Sequence, residues 1–133
     1  MKSYNIYRRK LQTILKRAIK VAKKDGHEIC GLIAANGRKL ELIECRNKVK
    51  RGGSFAFYYG EVRKLVKETE LLDQSIVGTF HSHPVSLAIP GESDIRNAED
   101  DSLMLIIDCT NRNAKLWHIV NQKAKEVRIM PIS

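Results

Sequence analysis

Gly78-Thr-Phe-His-Ser-His-Pro-Val-Ser-Leu-Ala-Ile-Pro-Gly-Glu-Ser-Asp94 is the stretch on which the reading of this chain turns. Its beginning continues an apolar run that reads as a strand over residues 75–81. A polar loop follows over 81–91, and Ser93 is placed to cap a short helix over 93–100. On a strand, side chains two apart share a face, so His81 and His83 present both imidazoles on one side. The Pro- and Gly-containing loop can fold back and bring Asp94 to the same point. Two histidines and one carboxylate leave a fourth position open, the pattern of catalytic zinc. Iron accepts the same donors, but nothing in the sequence suggests redox chemistry. The competing reading is two strand-end histidines bonded to nearby backbone, and the spacing alone leaves both open.

A hydrolytic metal site also needs a proton acceptor. Glu28 stands at the mouth of the apolar run Ile29-Cys-Gly-Leu-Ile-Ala-Ala35, where partial desolvation would raise its pKa. It reads equally as a surface residue in a helix-to-strand turn. His27-Glu28 is not the start of an HExxH helix, since position 31 is Gly31, and no Pro-Cys-x-x-Cys deaminase signature is present. His27 and His118 stay unassigned.

Working outward, Leu11, Ile14, Leu15, Ala18, Ile19 and Ala22 fall at helical spacing, which predicts an amphipathic helix over 4–24, capped by Ser3 and stopped by Gly26. Asn36-Gly37 predicts a hairpin between strands 29–35 and 38–45. Residues 47–60 read as a loop with an aromatic end, Phe55-Ala-Phe-Tyr-Tyr59, serving as a groove wall or as core. A helix is expected over 61–73, and three late strands over 103–107, 114–120 and 126–130, the first two joined by a turn at 111–113. The fold class is α+β, or mixed α/β: a central, largely antiparallel or mixed sheet flanked by helices, in one domain over 1–133.

The net charge of +9 is localised. Residues 1–24 carry nine basic side chains and no acid, while residues 25–133 carry fifteen of each. Such a segment suits nucleic acid, an anionic membrane or an acidic protein, or is simply a solvated helix face; its polar side has no aromatics for stacking bases. No apolar run is long enough to span a bilayer, and no membrane partner or signal peptide is expected. Cys30, Cys45 and Cys109 lie far apart without a CxxC pair, which argues against a cysteine zinc cage or disulfide framework and for a reducing cytoplasm.

Glu28-Ile-Cys-Gly-Leu32, His81-Ser-His-Pro84 and Asp94 together resemble the JAMM (MPN+, Mov34/JAB1) metalloprotease domain, in its compact prokaryotic form. The resemblance covers essentially the whole chain and implies the MPN architecture, which is cytidine-deaminase-like. It implies His81, His83 and Asp94 as zinc ligands and Glu28 as general acid/base. It further implies hydrolysis of amide or isopeptide bonds, with substrates such as the Gly-Gly tails of ubiquitin-like or sulfur-carrier proteins, laid as an added strand along a groove. Related domains often pair, so a homodimer is also implied. The chain departs from the pattern at one point. Seven residues separate His83 from position 91, where the family's oxyanion-stabilising serine would stand, and Gly91 is there instead. Its backbone N–H, or Ser93 or Ser86, would have to substitute. The other readings are a catalytically silent scaffold of the same fold and a nucleic-acid-associated protein using the basic helix.

Overall fold

The computed structural model describes residues 2–51 and 53–133. Among the described residues, seven strands and three helices follow in the order β1 (Ser3–Tyr7), α1 (Arg8–Asp25), β2 (Cys30–Asn36), β3 (Lys39–Cys45), α2 (Tyr59–Leu71), β4 (Ser75–His83), α3 (Glu92–Asn97), β5 (Ser102–Asp108), β6 (Asn113–Val120) and β7 (Lys123–Ile132). The strands close into a barrel, β1-β3-β2-β4-β5-β6-β7. Pairing is mixed as expected, with β2–β3, β2–β4, β5–β6 and β6–β7 antiparallel and β4–β5, β1–β3 and β1–β7 parallel.

Closure depends on a strand the sequence reading assigned to a helix. Residues 4–7 are not the first turn of α1; they pair in parallel with β7 from Ser3 opposite Arg128 to Tyr7 opposite Ile132. Ile6 is fully buried by this pairing. Ser3 therefore caps nothing, and α1 starts at Arg8 behind Tyr7 without a side-chain cap. The expected stop is present: Gly26 takes φ +68° and its N–H donates to the Ala22 carbonyl. The first hairpin also differs in detail. Asn36 pairs with Lys39, so the turn is Gly37-Arg38, with Gly37 at φ +61° in the first turn position as a type II′ turn requires.

Other boundaries move as well, among them those of β7, which spans Lys123–Ile132 rather than 126–130. α2 begins two residues earlier and ends at Leu71. β4 runs on to His83 because parallel pairing with β5 continues to His83 opposite Asp108. α3 spans Glu92–Asn97 behind Gly91, and Ser93 lies inside it rather than capping it.

β5 shows why the core has two faces. Leu103, Leu105 and Ile107 join Ile6, Ile33, Leu40 and Phe80 beneath α1, which contributes Ile14 and Ala18. The alternate residues Met104 and Ile106 pack with Ala88 and Ile119 on the other side, against Trp117. A strand buried on both faces reads as the continuous apolar run seen in the sequence. Among the described residues, no helix is long and apolar enough to cross a membrane.

Glycines let β4 come close to its neighbours. A Cβ at Gly78 would stand 1.9 Å from the Leu103 carbonyl oxygen, and one at Gly31 would stand 2.2 Å from the Phe80 ring. Gly78→Ala is expected to destabilise the protein by about 1–3 kcal/mol, the usual cost of overpacking, read as a lower urea midpoint. An unchanged midpoint would contradict the β4–β5 spacing.

Candidate metal centre

Two strands and one short helix assemble the site. β2 and β4 pair with Cys30 opposite His81. Just outside β2, the Ile29 N–H donates to Ser82 Oγ at 2.8 Å, and the Ser82 N–H donates to the Ile29 carbonyl at 3.1 Å. Continuing the same register outward sets Glu28 opposite His83. From the other side, α3 delivers Asp94 in its first turn. The Gly91 N–H donates to Asp94 Oδ2 at 2.8 Å and fixes the carboxylate.

Three donor atoms converge. His81 Nε2 and His83 Nε2 are 3.1 Å apart, and Asp94 Oδ2 lies 3.4 Å from the first and 3.6 Å from the second. A tetrahedral ion with donors at about 2.0–2.1 Å has donor–donor edges of about 3.3–3.4 Å, so the triangle already has the dimensions of one face of a zinc site. The His83 tautomer fits as well: Nδ1 lies 2.7 Å from the Leu87 carbonyl, which can only accept, so in the neutral ring Nδ1 carries the hydrogen and Nε2 keeps its lone pair; only the protonated ring donates from Nε2 to Asp94. Burial pushes the Asp94 carboxyl up, but hydrogen bonds from His81 and His83, the His81 charge and the Gly91 N–H outweigh it and hold the group well below the usual carboxylate range. Burial likewise lowers the His83 imidazole, while its bonds to Asp94 and Leu87 and the charges of Asp94 and Glu28 outweigh this and raise it. The donors are thus an anion and two imidazoles, whose Nε2 atoms stand at hydrogen-bond distance from one another.

Glu28 is not the surface residue that one reading allowed. It is 5% exposed, and its Oε1 has no hydrogen-bond partner among the described residues. Burial pushes its pKa up from 4.5 to about 7, a rise that His83 opposes and Asp94 reinforces. It lines the same cleft as His83, Asp94, Gly91 and Ser93. The Gly91 N–H is engaged by Asp94, while Ser93 is exposed and Ser86 also borders the cleft. A Cβ at Gly91 would meet Asp94 Oδ2 at 3.6 Å, an ordinary contact, and the backbone there is extended.

Several contributors were missed by sequence reasoning. Asn47 Nδ2 donates to the carbonyls of Glu28 and Ser54, while its Oδ1 accepts from the N–H groups of Val49 and Ala56. One amide thus folds the 47–56 loop over Glu28. Phe55 in that loop stacks on His81 at 4.7 Å between ring centroids, with Phe57 against its edge. Of the two roles open to the aromatic segment, Phe55 and Phe57 take the cleft wall. An Asn opening a loop was the only signal available. His118 pairs with Asp101 at 2.7 Å, away from this cleft, and His27 takes no part in the donor triangle.

In the metal-free protein, a carboxyl whose folded pKa is raised favours the folded state while protonated. That contribution is full below about pH 4.5 and lost as the pH rises through about 7, amounting to about 3 kcal/mol. Chelator-treated protein is therefore expected to lose urea stability from pH 5 to 8. Glu28→Gln should remove most of the slope, leaving the part owed to His83, whose raised pKa acts in the same direction. Equal slopes in both proteins would show that Glu28 is solvated.

Residues 12–120 match the family described as Prokaryotic homologs of the JAB domain. The desampylase of Pyrococcus furiosus is 29% identical over 122 residues, covering 90% of this chain and 86% of its own. Among solved structures, a solution structure of a Desulfitobacterium hafniense protein superposes with a TM-score of 0.82 at 21% identity, covering 98% of this chain and 93% of that one. A JAB1/MPN domain protein from Archaeoglobus fulgidus, known from its crystal structure, gives 0.56 at 18% identity, with 99% and 98% covered. The structural likenesses bear out the mixed helix-and-strand fold, and the resemblance first seen in three short motifs extends over most of the sequence: the chain belongs to the prokaryotic JAB family.

Proposed function

We propose that the chain, acting as one domain over 1–133, is a zinc-dependent metallopeptidase that works as an isopeptidase. Its substrates are amide bonds at the C-terminal Gly-Gly tail of a ubiquitin-like or sulfur-carrier protein. The observation that carries this is the convergence of His81, His83 and Asp94 within 4.8 Å of one another, with buried Glu28, whose Oε1 has no hydrogen-bond partner among the described residues, on the same cleft. The relative named desampylase favours a cleaving enzyme over a silent scaffold.

His81, His83 and Asp94 would hold the zinc, which would supply a Lewis acid for the scissile carbonyl and a water of lowered pKa. The chain's own residues do the rest. Glu28, buried on the same cleft, takes a proton from the attacking water and hands it to the leaving amine. Asp94, held by the Gly91 N–H, stays anionic throughout. Phe55 and Phe57 wall the cleft and exclude bulk water, which strengthens each electrostatic contact inside. A tail of two glycines needs no side-chain pocket beside them. The Gly91 N–H is occupied by Asp94, so stabilisation of the oxyanion is left to the hydroxyl of Ser93 or Ser86, and the cleft lacks the donor a serine at 91 would add.

The protein is expected to bind one equivalent of zinc, and His81→Ala to lose it. Glu28→Gln should keep zinc and lower cleavage of a Gly-Gly-tailed conjugate by about 10²–10⁴-fold. Stoichiometric zinc without cleavage of any such conjugate would establish the scaffold instead. Gly91→Ser should raise turnover by up to about 10²-fold, the lower end of what one oxyanion donor is worth. A rate unchanged by that serine would assign the oxyanion to other groups.

A further inference from the structure

The loop from Pro84 to Pro90 follows directly on the second histidine and has no regular secondary structure. Its side chains do little to hold it: Val85, Leu87 and Ile89 are 89%, 58% and 49% exposed. Yet its Leu87 carbonyl takes the His83 Nδ1 hydrogen at 2.7 Å, so the loop's position decides how that imidazole is presented. A segment this exposed keeps such a bond only if something else anchors it. The neighbouring Ala88 is the anchor. Its methyl group is buried with Met104, Ile106 and Ile119, and its carbonyl accepts the indole N–H of Trp117 at 2.9 Å. Thr110 Oγ adds a long bond of 3.4 Å to the Pro84 carbonyl.

We infer that Trp117 is a positioning residue for the metal centre: by holding the Ala88 carbonyl it fixes the adjacent Leu87 carbonyl, which sets the tautomer and orientation of His83. Successive carbonyls of one loop serve two rings, the indole on β6 and the imidazole on β4. Burial alone accounts for a tryptophan finding some acceptor. It does not account for that acceptor being the one next to the carbonyl that orients His83, in a loop with no other buried side chain. This role rests on the zinc reading of the site. Outer partners of ligating histidines typically contribute about 10–100-fold to metal affinity, and Trp117 acts one bond further out than Leu87, so its share lies near the lower end.

The test uses the whole chain. Trp117 is its single tryptophan, so biosynthetic replacement by β-(3-benzothienyl)alanine changes this position alone, exchanging the indole N–H for sulfur at nearly constant volume. Trp117→Phe is the genetic counterpart; should it fail to fold, the analogue decides. Two quantities are measured: zinc affinity by competition with a chelator, and the tautomer of His83 by nitrogen NMR of histidine-labelled, metal-free protein at alkaline pH. The expected result is zinc binding weakened by about 10-fold, with the single Nδ1–H form of His83 replaced by a mixture. A folded protein lacking the indole N–H that keeps native affinity, or weakens with the tautomer unchanged, overturns the role. If the unaltered chain binds no zinc, the metallopeptidase reading falls, while the tautomer measurement still decides what Trp117 does.

Discussion

The register between β2 and β4 is the constraint on which the site depends. Cys30 faces His81, and the exchange of hydrogen bonds between Ile29 and Ser82 extends that pairing past the end of the ladder. Because strand side chains alternate, a slip of one residue would turn both imidazoles and Glu28 away from each other at once. The structure guards against this with close contacts. Gly31 admits the Phe80 ring of the facing strand where a methyl group would stand, and Gly78 admits the backbone of Leu103, which fixes β4 against β5. The position of a proton acceptor relative to two ligands is therefore settled by packing some residues away, where only one register lets the strands touch.

Around that frame the polar groups are divided into satisfied and unsatisfied ones. Asp94, His83 Nδ1 and Ser82 all have partners. Glu28 Oε1 and His81 Nδ1 are buried without any among the described residues. Leaving buried polar atoms unpaired costs about 1–3 kcal/mol each, and proteins tolerate such costs chiefly where function needs them. Here they stand beside a triangle of donors sized for a cation, so the unsatisfied atoms and that triangle belong to one feature.

The parts legible in the sequence were those set by local rules. Strand alternation and a folded-back loop placed His81, His83 and Asp94 together, and the apolar run after Glu28 located β2. The parts that were not legible depend on partners far along the chain. β1 looks helical because Leu11, Ile14 and Ala18 carry the helical period just beyond it, and its true partner is β7 at the opposite end of the sequence. Asn36-Gly37 was read as the turn itself, but the register with β3 moves the turn one residue on. Phe55, Asn47 and the Leu87 carbonyl were invisible for another reason. A loop residue's role is decided by what the closed fold sets beside it, and a backbone carbonyl carries no residue-type signal at all.

The first helix gives the molecule two electrical faces. Residues 25–133 balance fifteen basic against fifteen acidic side chains, while α1 carries almost the whole excess, and among the described residues only Arg17 of that helix is paired with an acid, Glu44. Ile19, Ala22 and Lys23 of its last turns border the cleft that holds Glu28. The unpaired cations of α1 therefore lie beside that rim, and the field they set up fades over about 10 Å at moderate salt. Dissolved ions would thus weaken the pull of that rim on anionic groups, while buried Glu28 is far less open to such screening.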